Sequence, residues 1–131
     1  MNESLQKSAI GLDGNLAAAL GYPIGILGLV NFFIEKENRF VKFHGIQSVL
    51  YSVGFWIGST IVFVLLMVLG MILSFVSSTL GGIVTFLTGL LWFLVAFVWF
   101  LSLLFFAYKA YSNQQFKLPI VGNLSENLAN K

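Results

Sequence analysis

From Phe43 to Tyr108 the chain runs for 66 residues without one Asp, Glu, Lys or Arg. An earlier stretch, Gly14 to Ile34, is charge-free over 21 residues. About 20 helical residues at 1.5 Å each cross a hydrocarbon core roughly 30 Å thick, so the first stretch suffices for one crossing and the second must turn back on itself. A short chain leaves much of its surface exposed and cannot hide so much apolar area inside. With 58% hydrophobic and 9% charged residues, against about 25% charged in ordinary soluble domains, its solvent is lipid. Barrel strands would alternate apolar and polar residues, whereas these runs are continuous, so the fold class is all-α. No Cys is present, which excludes a disulfide scaffold, and the composition excludes a nucleic-acid module.

Ser77-Ser78-Thr79-Leu80-Gly81-Gly82 punctuates the long run and marks the reversal. The reading is a single integral membrane domain over 1–131 with three transmembrane helices, near 15–34, 50–76 and 83–108. An amphipathic interfacial segment at 35–49 and a tail at 109–131 complete it. With three spans, Lys7 lies alone on one side and Lys36, Arg39, Lys42, Lys109, Lys117 and Lys131 share the other. Lys and Arg concentrate in short cytoplasmic loops. That split predicts a multi-pass protein of the cell (inner or plasma) membrane with its N-terminus outside and its C-terminus cytoplasmic. Asp13 interrupts the region before the first apolar run, which argues against a cleavable signal peptide.

Small residues recur at every fourth position: Ala17, Gly21 and Gly25; Gly54 and Gly58; Gly70, Ser74, Ser78 and Gly82. Each series falls along one helix face, where missing side chains allow backbones to approach, so these are read as helix-packing seams that close the monomer or join another copy. Pro23 removes one donor and pushes against the Ala19 carbonyl, predicting a kink in the first span. In the third span Trp92, Trp99 and Phe106 repeat every seven residues beside Phe93, Phe97 and Phe100, with Phe105 in the same ring-dense run. This surface suits lipid contact and interhelix packing, or the cradling of a lipid or quinone.

Intramembrane charges mark pumps and relays, and none lies well inside a predicted span. One His and no Cys give no zinc, haem or iron–sulfur set within one chain. Neither paired carboxylates nor a phosphate loop is found, so the expectation is no enzyme, no catalytic residue, no metal and no cofactor. The chemically richest segment is Glu35 to Ser48. Read as a helix, it places Glu35 four residues before Arg39 for an ion pair, with Phe40, Val41, Phe43 and Ile46 dipping into the acyl boundary. It is either a stiff loop orienting the second span or a docking site in which His44 and Gln47 offer hydrogen bonds. In the tail, Asn123 followed by Glu126 reads as the capped start of a short helix.

The runs Gly11-Leu12-Asp13-Gly14-Asn15-Leu16-Ala17-Ala18-Ala19-Leu20-Gly21-Tyr22, Phe33 through Ser48 and Phe116-Lys117-Leu118-Pro119-Ile120-Val121-Gly122-Asn123-Leu124 resemble a family of small membrane proteins of unknown function. That grouping includes the twenty-kilodalton subunit of the plastid inner-envelope translocon (Tic) and the magnetosome membrane protein MamF. The resemblance carries Arg39, Phe40, Phe43, His44, Gln47 and Ser48, with Pro119 and Gly122, as a family mark, and Lys42 sits among them as part of the interfacial signature. The resemblance implies no assigned activity for most members, and, through the plastid relative, a part in preprotein passage within a larger assembly. The functional expectation is a non-enzymatic accessory or scaffold subunit of a membrane assembly or homo-oligomer. The alternatives are a component of a translocation or permeation pathway and a lipid- or quinone-binding protein. The expected partners are the lipid bilayer and a second copy or larger membrane complex, with no nucleic acid.

Overall fold

A computed structural model describes residues 2–131. It is helical throughout: a 3-10 turn at Glu3–Leu5, then α1 (Gly14–Leu20), α2 (Gly25–Ile34), α3 (Arg39–Val76), α4 (Ser78–Tyr111) and α5 (Val121–Ala129). Two compact units divide these elements, one formed by residues up to Val53 and from Leu101 onward, the other by Gly54–Phe100.

The first apolar stretch does not form one span. Pro23 lacks an N–H and cannot continue α1, so the helix stops at Gly21 and the chain turns before α2 begins at Gly25. The two helices then pack antiparallel. Asn31 Nδ2 donates to the Ala17 carbonyl at 2.8 Å. A Cβ on Gly28 would sit 2.6 Å from the Gly21 carbonyl oxygen, so this crossing requires glycine. Seven and ten residues rise about 10 and 15 Å, well short of a bilayer core. The expected kink is a full reversal.

That reversal brings the N-terminal arm to the 35–38 turn and the tail. The Ala9 N–H donates to Glu35 Oε2 at 2.7 Å, and Asn38 Nδ2 donates to the Glu3 and Gln6 carbonyls at 2.8 and 3.2 Å. Asn15 Nδ2 donates to the Tyr111 carbonyl at 3.1 Å. These bonds hold the N-terminal arm beside the 35–38 turn and the start of the tail.

The segment expected to lie at the interface is likewise different. Residues 39–49 are the first turns of α3, and Phe40, Val41, Phe43 and Ile46 are buried in protein rather than in acyl chains. Asn38 caps the helix by accepting from Val41 N–H at 3.1 Å. Glu35 precedes the helix, and its carboxylate is taken up by N–H groups of Ala9, Glu37 and Asn38, so the expected Glu35–Arg39 pair is absent among the described residues.

The long reversal is tighter than the Ser77–Gly82 turn: only Ser77 separates α3 from α4. Ser77 Oγ accepts from Leu80 N–H at 3.4 Å, serving as the cap of α4. The crossing closes on Gly70, Ser74, Gly81 and Thr85, where a Cβ on Gly81 would strike Ser74 and lie 2.7 Å from the Gly70 carbonyl oxygen. Both α3 and α4 are long and apolar enough to cross a membrane. In the tail, α5 starts at Val121, two residues before the expected Asn123 cap, and Ile120 before it makes no side-chain cap bond. Glu126 instead pairs with Lys117 at 2.6 Å.

Candidate functional site

The base of α3 carries a buried polar cluster built on helical spacing. His44, Gln47 and Ser48 lie within about one turn, so they point into the same neighbourhood, and all three are almost completely enclosed. Tyr22, from the turn between α1 and α2, reaches them: its hydroxyl lies 2.9 Å from His44 Nδ1 and accepts from Gln47 Nε2 at 2.9 Å. A phenol that already accepts from Gln47 keeps its own proton to donate to Nδ1, an arrangement that goes with the imidazole proton on Nε2. That nitrogen is enclosed and has no hydrogen-bond partner among the described residues. Rings seal the cluster. Phe40 and Phe43 meet His44 edge-on at 4.5 and 5.0 Å, and Phe106 lies 5.8 Å from Tyr22.

Gln47 also holds the tail. Its Nε2 donates to the Phe116 carbonyl at 2.9 Å and its Oε1 accepts from Leu118 N–H at 3.1 Å. One amide therefore satisfies both sides of Lys117 in the extended strap after α4, as a neighbouring β-strand would. The strap is weighted by Phe116 stacked on Phe106 at 6.1 Å and by Lys109 Nζ over the Phe105 and Phe116 rings at 5.5 and 6.0 Å. Beyond it, Ala129 buries against Phe43 and Ile46, with Phe32, Leu50 and Leu128 around them. Fully burying a side chain such as Phe43 is worth about 1.5–3 kcal/mol, enough to hold a nine-residue helix that would not persist alone.

The structure distributes the residues singled out in the sequence unevenly. Phe40, Phe43, His44, Gln47 and Ser48 converge, with Ser48 Oγ turned to the Gly45 carbonyl. Arg39 is exposed and Lys42 half-buried, and neither takes part in the cluster. Ala17 and Gly21 are buried where α1 meets α2; Gly70 is buried against α4 and Ser74 faces Gly81. Gly25, Gly54, Gly58 and Gly82 have open space where a side chain would be, and Ser78 is exposed at the start of α4. Of the ring series, Trp92 meets Trp56 and Phe63, and Trp99 meets Trp56. Phe93, Phe97 and Phe100 face outward.

Sequence reasoning missed Tyr22, Asn31, Asn38, Gly28, Gly45, Gly81 and Thr85. For Asn31 a signal existed: an amide deep in an apolar run must find a partner, because burying it unbonded costs several kcal/mol. The cluster is architectural chemistry. The amides of Asn31, Asn38 and Gln47 and the carboxylate of Glu35 reach backbone of other segments, while the Tyr22 hydroxyl joins Gln47 to His44 and Ser48 bonds within its own turn. Among the described residues no three of His, Asp and Glu are close enough to share an ion.

Two long apolar helices joined by one residue, with Arg39, Lys42 and Lys109 confined to the ends away from that joint, fit a small helical membrane protein. The chain belongs to the magnetosome magnetite crystal formation protein family, whose pattern matches residues 8–125. It is 34% identical over 123 residues to a UPF0132 membrane protein of Methanocaldococcus jannaschii, covering 92% of each chain. To a UPF0132 membrane protein of Archaeoglobus fulgidus it is 40% identical over 119 residues, covering 86% of this chain and 91% of that one. A second Methanocaldococcus jannaschii member shares 26% identity over 127 residues. No solved structure matches the chain.

Proposed function

We propose that the protein is a non-enzymatic accessory or scaffold subunit, anchored by α3 and α4 as two full membrane spans and carrying its polar head on one leaflet. The observation that supports this most is the occupation of the cluster: Tyr22, Asn31, Glu35, Asn38 and Gln47 are all committed to tying arm, hairpin and tail to the base of α3. What the head offers outward is shape and charge. In this reading α1 and α2 form a short helical hairpin that does not cross. All seven cations then share one side and the Ser77 turn has none, so both termini are cytoplasmic. The role in crystal formation given in the family's description fits a scaffold that holds partners at a membrane surface.

Reporter fusions behind Lys131 and ahead of Asn2 test the topology; both are expected to report the cytoplasm, and an exterior signal from either defeats the two-span arrangement. Purification in mild detergent with cross-linking and mass measurement tests the role. A strictly monomeric particle without a co-purifying protein counts against a scaffold.

A further inference from the structure

The 54–100 unit contains a groove that the packing of its two helices leaves open. Gly54, Gly58, Val62 and Leu66 of α3 form one wall and Leu91 and Val95 of α4 the other, around a volume of about 390 Å³. It exists because Gly54 and Gly58 carry no side chain and nothing else fills the space, which is empty within 4 Å of where each Cβ would be. Its two hydroxyls make no demand on an occupant: Ser59 Oγ donates to the Phe55 carbonyl at 2.7 Å and Thr88 Oγ1 to the Val84 carbonyl at 2.8 Å. The occupant is therefore apolar.

Size selects among apolar occupants. From Gly54 to Leu66 the helix rises about 18 Å, close to the roughly 15 Å of hydrocarbon in one leaflet. Spreading the 390 Å³ over that rise leaves a mean section of about 20 Å². Carbon atoms in contact lie about 4 Å apart, so a single methylene chain has a section of about 15–20 Å². A second helix, at least about 10 Å across, has a section of about 80 Å² and would lie over the groove without entering it. We infer that this groove retains one acyl chain of a membrane phospholipid, lying along α3 from Gly54 to Leu66. The inference rests on the membrane-spanning reading of α3 and α4, and is independent of the scaffold role.

Trp92 lines the groove, and Trp56 and Trp99 are the other two Trp residues. In a Trp56→Phe/Trp99→Phe background, the protein is reconstituted into vesicles of phosphatidylcholine brominated along its chains, which quench a nearby indole. Filling the groove with Gly58→Leu is expected to cut quenching of Trp92 at least two-fold. The same substitution should leave unchanged the quenching of a reference indole introduced by Phe93→Trp, on the outward face, in a chain that also carries Trp92→Phe. Equal quenching of Trp92 with and without Gly58→Leu overturns the proposal. Absence of quenching at both positions means that the hairpin is not in the bilayer, and the membrane reading falls with it. If Gly58→Leu does not fold, Gly54→Ala and Gly58→Ala should give smaller graded reductions, and no reduction from either overturns the proposal. Because the chain has no Cys, Val62→Cys is a single thiol probe. Cross-linking of most copies through it would assign the groove to a second copy and overturn the lipid assignment.

Discussion

In the 54–100 unit the large apolar side chains point outward: Phe75 is 88% exposed and Phe93 78%. In the unit formed by the chain up to Val53 and from Leu101, the fully enclosed residues include His44, Gln47, Asn31 and Asn38. One polypeptide thus follows two opposite rules of burial, and the difference is a difference of solvent. Where lipid surrounds the helices, apolar surface costs nothing outside and close backbone approach at Gly70 and Gly81 supplies the contacts. Where water and headgroups surround them, short irregular segments must satisfy their backbone groups internally. The buried amides are the means.

The comparison breaks most visibly at Gln47. Gln47→Leu leaves the buried Tyr22 hydroxyl and the part-buried Phe116 carbonyl and Leu118 N–H each short of a partner, and each such orphaned group costs up to roughly 1–3 kcal/mol. The expected outcome is a loss of about 3 kcal/mol or more, read as a lowered thermal midpoint in detergent and rapid proteolysis between Ser112 and Ile120. An unchanged cleavage rate would show that the amide does not hold the strap. On the lipid side, Phe93→Arg tests the solvent itself. At a position so exposed the change would be nearly neutral in water, but near the centre of a membrane span it costs about 2.5–3.5 kcal/mol, measurable as reduced insertion. Efficient insertion would remove lipid from that face.

Neighbouring glycines sharpen the contrast within the hairpin. Gly81→Leu forces a side chain into Ser74 and the Gly70 backbone and is expected to cost about 1–3 kcal/mol by overpacking. Gly82→Leu meets open space and should fall within about 0.5 kcal/mol of the parent. Equal effects in a thermal-shift series would mean that the crossing is not where the structure has it. The smallest effect is reserved for the surface. Lys117 and Glu126 pair with side chains 43% and 37% exposed, so Lys117→Ala should cost no more than about 0.5 kcal/mol, against the far larger loss at Gln47 of α3, whose amide holds the backbone on either side of Lys117.

How far the sequence could be read follows from what each feature depends on. The helical class, the lipid solvent and the place of the long reversal came from charge-free length and from the Ser and Gly residues at 77–82. These signals are local and additive. The course of the first apolar stretch turns on Pro23. A proline in an apolar run is compatible with a kinked span and with a reversal, and the choice rests on whether Gly28 and Asn31 find Gly21 and Ala17. The 35–48 segment stands out in the sequence, but its phenylalanines read as acyl-facing there because the tail that covers them lies some 70 residues away. The small-residue series identified faces but could not say which faces meet: Gly81 closes the hairpin, while Gly54 and Gly58 leave a groove.

Composition and uninterrupted apolar length by themselves determined that this is an all-helical membrane protein with its charge confined outside the long runs. Transfer free energy is a sum over residues and needs no partner to be known. Only the tertiary structure decided that the first apolar stretch folds back, that the N-terminal arm lies beside the 35–38 turn, and that Tyr22, His44 and Gln47 form one cluster. Those outcomes are set by hydrogen bonds and steric contacts between residues distant in sequence, whose strength depends on geometry that no local pattern encodes.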